Sequence, residues 1–146
     1  MRARKYRGRD ERGCWHYGWL AETNDGTFYI IENDEGWTDD GFHNDDFSGW
    51  YKVLEKTIGQ FTGLLDKNGK EIFEGDIIKM STATYGDEIF RIGYENSHIG
   101  AFCLCSDEQE DTSRFVSIFG RNYEYEPFYC EVIGNIHDNP ELLRGV

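Results

Sequence analysis

No apolar run in this sequence approaches the ~20 residues that a membrane-spanning helix requires. The first twelve residues, Met1 to Arg12, also lack the apolar stretch of a signal peptide. Positive charge is scarce too: 15 Lys and Arg stand against 28 Asp and Glu, a net charge of −13. Proteins that hold nucleic acid by its phosphates draw most of their affinity from positive charge, so a generic phosphate-backbone binder is excluded. There is no internal repeat and no low-complexity tract. The common catalytic frames are missing as well: no H-E-x-x-H, no G-x-S-x-G and no Walker pattern occurs. What remains is 146 residues, one domain or one domain with a small subdomain, with 16% aromatics to build a core. The expectation is a soluble, cytoplasmic, mainly β protein without membrane attachment.

Charge is unevenly spread. Arg2, Arg4, Lys5, Arg7, Arg9 and Arg12 stand against Asp10 and Glu11 in the first twelve residues, a balance of +4 that leaves −17 for the other 134. From Gly13 to Tyr51 there is no Lys or Arg, and nine acids fall there: Glu22, Asp25, Glu32, Asp34, Glu35, Asp39, Asp40, Asp45 and Asp46. All four tryptophans, Trp15, Trp19, Trp37 and Trp50, lie in the same window. Like charges at that density must be spread over a solvated face. The window reads either as such a face over an aromatic core or as an acidic, aromatic recognition surface.

Short β signals dominate the chain. Trp15–Leu20 and Thr27–Ile31 are aromatic and β-branched, and Asn24-Asp25-Gly26 between them suits a tight turn. Glu32–Gly49 lacks clean periodicity and reads as a long loop. Thr57–Thr62 alternates as a strand. Asn68-Gly69 predicts a hairpin with a type I′ turn, between Leu64-Leu65 and Ile72-Phe73. Further strands are expected at Ile77–Met80, Glu88–Tyr94, Ile99–Leu104, Arg114–Phe119 and Phe128–Ile133. Only the end reads as helix, with Asn139 as N-cap, Pro140 in the first turn and Leu142 and Leu143 packing inward. Five strand candidates between Gly75 and Ile136 suggest a bent SH3-like barrel. The organisation expected is an acidic, aromatic-rich β subdomain over 1–56, then a barrel-like core over 57–146 with a short terminal helix.

Two blocks carry a resemblance. Ile58-Gly59-Gln60-Phe61-Thr62-Gly63-Leu64-Leu65-Asp66-Lys67-Asn68-Gly69-Lys70-Glu71-Ile72-Phe73-Glu74-Gly75-Asp76-Ile77-Ile78-Lys79 is similar to the signature of the YopX-like family of phage and prophage proteins. So is Glu131-Val132-Ile133-Gly134-Asn135-Ile136-His137-Asp138-Asn139-Pro140-Glu141-Leu142-Leu143, in matching order and spacing. The opening Arg4-Lys5-Tyr6-Arg7-Gly8-Arg9-Asp10 resembles the family's start, but Gly8-Arg9 stands where the family commonly has Ala-Trp. The resemblance implies a mostly β structure, a phage or prophage origin and self-association, and it implies no catalytic residue. It also implies that Lys5–Asp10 is a strand of the sheet rather than a disordered arm; the Arg side chains of such a strand are expected on its outer face.

Candidates for chemistry are few. Cys103 and Cys105 would share a face of a strand, but C-x-C with Cys14 and Cys130 elsewhere is not the C-x2-4-C turn spacing of structural zinc. Free thiols are expected in a cytoplasmic protein. His16, His43, His98 and His137 fit surface or capping roles. The loop Asp39-Asp40-Gly41-Phe42-His43-Asn44-Asp45-Asp46 offers hard oxygen ligands but lacks the EF-hand order. Glu74-Gly75-Asp76 places two carboxylates in what reads as a solvated turn. No catalytic, cofactor-binding or metal-binding residue is therefore assigned. Trp37 and Trp50, which flank the acidic loop, are the candidate interaction surface. The leading expectation is a non-enzymatic phage or prophage accessory protein that binds a host or phage protein and forms a homo-oligomer. The alternative is a nucleic-acid-directed protein, either an SH3-like binder or an acidic DNA mimic.

Overall fold

The computed structural model describes residues 5–32, 37–38, 41–42, 49–82, 86–95, 101–105, 116–117 and 130–143. The chain divides into two compact units, Met1–Phe61 and Thr62–Val146. Both are built of antiparallel strands, as the short aromatic and β-branched runs require.

In the first unit, β1 (Tyr6–Arg9) is a strand of the sheet, as the resemblance implied. It pairs with β2 (Trp15–Glu22) on one side and with the start of β7 (Gly59–Leu65) on the other. β3 (Phe28–Ile31) and β6 (Trp50–Val53) continue outward, so the order is β6-β3-β2-β1-β7. The turn expected at Asn24-Asp25-Gly26 is present. Asp25 Oδ1 accepts the Thr27 N–H at 3.1 Å and also accepts from the Thr23 hydroxyl. Two two-residue strands, β4 (Trp37–Thr38) and β5 (Gly41–Phe42), pair within the stretch read as loop. A 3-10 turn at Glu55–Thr57 replaces the expected start of a strand. Its Thr57 hydroxyl accepts the Arg9 N–H at 2.8 Å and donates to the Leu54 carbonyl at 2.6 Å, which ties the turn to β1.

In the second unit, β7 continues to Leu65 and lies beside β8 (Glu71–Phe73). The hairpin between them is real, but its turn is centred one residue earlier than expected. The Gly69 N–H donates to the Asp66 carbonyl at 3.0 Å, which puts Lys67 and Asn68 at the centre and Gly69 after them at φ +80°. The Asp66 carboxylate drives the shift, because its Oδ1 accepts the N–H groups of Asn68 and Lys70 at 2.8 and 2.9 Å.

The five strands expected between Gly75 and Ile136 are also there: β9 (Asp76–Thr82), β10 (Gly86–Glu95), β11 (Ala101–Cys105), β12 (Val116–Ser117) and β13 (Cys130–Asn135). They do not close into an SH3-like barrel. The order is β12-β11-β10-β9-β13, an open sheet whose end strands β12 and β13 do not pair among the described residues. The outer side of β13 is occupied instead. Its Cys130 carbonyl accepts the Lys67 N–H at 3.0 Å, and its Val132 N–H donates to Asp66 Oδ2 at 2.9 Å. The core of this unit is Ile72, Ile78, Met80, Phe90, Ile92 and Cys130, with Leu64 and Val132 packed against it.

The terminal helix is a single 3-10 segment, Pro140–Leu143, lying against β10. Asn139 contributes to it through its backbone carbonyl, which accepts the Leu142 N–H at 3.1 Å. Its side chain turns the other way: Oδ1 accepts the Asn135 N–H at 3.3 Å. That approach needs Gly134, where a Cβ would stand 2.6 Å from Asn139 Oδ1. Gly134 also follows a β-bulge, since the register slips by one residue between Val132 and Gly134.

Candidate functional site

The densest arrangement of polar side chains in the first unit is assembled by a turn and three strands. After β1, Asp10 Oδ1 accepts the N–H groups of Arg12 and Cys14, each at 2.9 Å, and so turns the chain back into β2. Its other oxygen, Oδ2, then lies 2.8 Å from Nε2 of His16. Glu32, at the end of β3, places Oε1 3.1 Å from His16 Nδ1 and 3.3 Å from the Tyr17 N–H, from which it accepts. Tyr51 of β6 stacks on the imidazole, with ring centroids 4.0 Å apart and planes 11° from parallel. His16 is thus buried, at 9% exposure, between two carboxylates and under a tyrosine. The hydrogen bond from His16, then that from the Cys14 N–H, holds the Asp10 carboxyl below the usual carboxylate range. Both ring nitrogens are occupied within the fold, so His16 does not present one to a substrate or metal. Among the described residues, no group of three or more His, Cys, Asp or Glu is placed to hold a metal ion.

Strand register sets a second feature. Trp19, Ile31 and Trp50 form one cross-strand row, and Ala21, Tyr29 and Lys52 the next. Directly paired residues share a face, so these rows lie together with Arg7, Arg9, Trp15 and Tyr17 of the β1–β2 pair. The Arg7 guanidinium lies 4.7 Å from the centre of the Trp15 ring, and the Tyr29 and Trp50 rings meet at 5.8 Å. The Arg side chains of β1 were expected on the outer face; Arg7 is instead buried at 5% exposure. Its guanidinium stacks on an indole, a weakly hydrated cation finding an aromatic face.

The second unit uses carboxylates to hold the chain. Asp66 is buried; burial pushes its carboxyl up, but N–H donors from Val132, Lys70 and Asn68 outweigh this and hold it below the usual range. Asp76, expected in a solvated turn with Glu74, is buried at 1% exposure, with Oδ2 accepting the Phe73 N–H at 2.7 Å. Burial, with the nearby Asp66 charge, pushes the Cys130 thiol up to about 11, so it stays protonated and unreactive.

Of the residues singled out from sequence, Trp50 is half-buried on the aromatic face, whereas Trp37 stands on β4 with its side chain outside the described residues. Cys14 is exposed and Cys130 buried, and neither is in a disulfide. Cys103 and Cys105 stand on β11, and their side chains fall outside the described residues, as do His43, His98 and most of the loop 39–46. Asp10 and Glu32 as partners of His16, and Asp66 as a clamp, were not foreseen. Asp10-Glu11-Arg12-Gly13 does carry the Asp-to-Gly spacing of a β-turn, which could have flagged Asp10.

Antiparallel strands make up both units, and the chain matches one protein class across nearly its whole length. The model of the YopX protein family covers residues 5–144, and the chain belongs to that family. A solved structure, protein EF1440 from Enterococcus faecalis, is similar at 26% identity and a TM-score of 0.52, over 96% of this chain and 97% of that one. No curated protein matches. Among the described residues, no helix is long and apolar enough to cross a membrane.

Proposed function

We propose that this chain is a phage or prophage accessory protein that works in the host cytoplasm by binding protein and assembling with itself, not by catalysis. The observation that carries the reading is the aromatic face of the first sheet, where Trp19, Tyr29 and Trp50 lie together. Tryptophan and tyrosine concentrate at interface cores, where Asp and Glu are depleted. In a chain with net charge −13, contact through that face leaves the acids outward. Static light scattering across a salt series tests the proposal. Association should strengthen with salt, as screening weakens acidic repulsion and leaves apolar contact intact, and Trp50→Ala should weaken it at every salt concentration. A monomer at all salts, or an oligomer that dissociates as salt rises, would overturn it.

A nucleic-acid-directed role has one observation in its favour: Lys5 over the Phe61 ring at 5.9 Å places a cation and an aromatic together beside the start of β1. Direct binding of that kind would weaken linearly with log salt in a gel shift.

A further inference from the structure

We infer that His16, Asp10 and Glu32 form a proton-operated latch that fastens the end of β3 to β2. The geometry is that of one imidazole with a carboxylate oxygen at each nitrogen, 2.8 Å at Nε2 and 3.1 Å at Nδ1. A carboxylate only accepts, so both bonds form when the ring carries a proton on each nitrogen. A neutral ring carries one proton and turns a lone pair toward the other carboxylate, and that contact repels.

The two arms are not equivalent. Asp10 is fixed by its second oxygen, which accepts from Arg12 and Cys14, and its side chain is 20% exposed. Glu32 is 39% exposed and can swing into water. The neutral ring therefore keeps its proton on Nε2, toward Asp10, and Glu32 lets go. The same Glu32 oxygen accepts the Tyr17 N–H, so its departure breaks a hydrogen bond to the backbone of β2 as well. Among the described residues, the titratable groups facing the ring are Asp10 from the β1–β2 turn, Glu32 from the end of β3, and Tyr51 from β6. The residue opposite on β1 is Gly8, which carries none. Glu32 stands where the sequence leaves β3 for its most acidic stretch, so the latch sits at the root of that stretch.

The test is an NMR pH titration of the full-length protein labelled with 15N. Long-range ring couplings should show both His16 nitrogens protonated at low pH and an Nε2–H ring at high pH. The Tyr17 amide should move with the same midpoint as the ring. In Glu32→Gln that midpoint should vanish from the Tyr17 amide while the ring still titrates, and His16→Gln should remove it too. An Nδ1–H ring at high pH, or a Tyr17 amide that ignores the ring in the wild-type protein, would overturn the latch. Since Glu32 is a surface side chain, Glu32→Gln keeps the test decisive if His16→Gln does not fold.

Discussion

A single buried carboxylate organises much of the second unit. Asp66 satisfies three backbone N–H groups, one of them 66 residues away on β13. Replacing it by Ala strands those donors, and a buried unsatisfied donor costs about 1–3 kcal/mol. Chemical denaturation of Asp66→Ala should therefore show a loss of at least that order. The pH dependence has a definite sign. Because the native carboxyl is held below its ordinary value, its contribution is full above the unfolded pKa and is lost as pH falls through the native one. The gap in stability between wild type and Asp66→Asn should thus be widest near neutral pH and should narrow under acid. A gap that is constant with pH would mean the charge is immaterial. Gly69 carries the same turn at φ +80°, where the space around its Cα is open. Gly69→Val should cost about 1–3 kcal/mol from backbone conformation alone, read as a fall in melting temperature.

At the scale of elements, the terminal turn depends on one close approach. A methyl group at residue 134 would collide with Oδ1, Cγ and Cβ of Asn139 at 2.6, 2.9 and 3.0 Å. Gly134→Ala should destabilise by about 1–3 kcal/mol, and Asn139→Gly in the same chain should recover part of that loss. Strict additivity of the two in a double-mutant cycle would show that they do not meet. These elements also mark what could be read from sequence. Strand positions were legible because alternation and Gly-rich turns are local signals. The turn at Asn68-Gly69 was placed but mis-centred, since the Asp66 side chain captured amides that a type I′ turn would have arranged otherwise. Closure of the five strands was not legible, because it depends on whether β12 meets β13 and on what occupies the outer side of β13. The bracketed histidine was equally hidden. Asp10, His16 and Glu32 meet only through the registers of separate strands.

For the molecule as a whole, charge should govern the self-association proposed above. The net charge of −13 falls to zero near the isoelectric point of about 4.6, and repulsion between copies falls with it. Self-association measured by light scattering should rise as pH is lowered from 7 toward 4.6, as it should with added salt. Association that weakens on approach to that pH would mean that ionised acids form the contact. The Asp66 contribution is lost only at more acidic pH, below its ordinary carboxylate value, so a melting curve at each pH separates assembly from unfolding.

The arrangement β12-β11-β10-β9-β13 has a consequence for synthesis. β9 must wait for β13, because one whole side of it is covered by residues made fifty or more positions later. At ribosomal rates of ~5–20 residues per second that interval lasts roughly 3–10 s. Until then the nascent chain carries Ile77, Ile78 and Met80, all buried in the finished protein, on an uncovered strand. A ribosome that stops short of Cys130 releases a chain with a bare, apolar edge and an Asp66 that has no Val132 amide to meet. Such fragments should be far stickier than their share of the sequence suggests, and β13 thus decides the fate of the strands made before it.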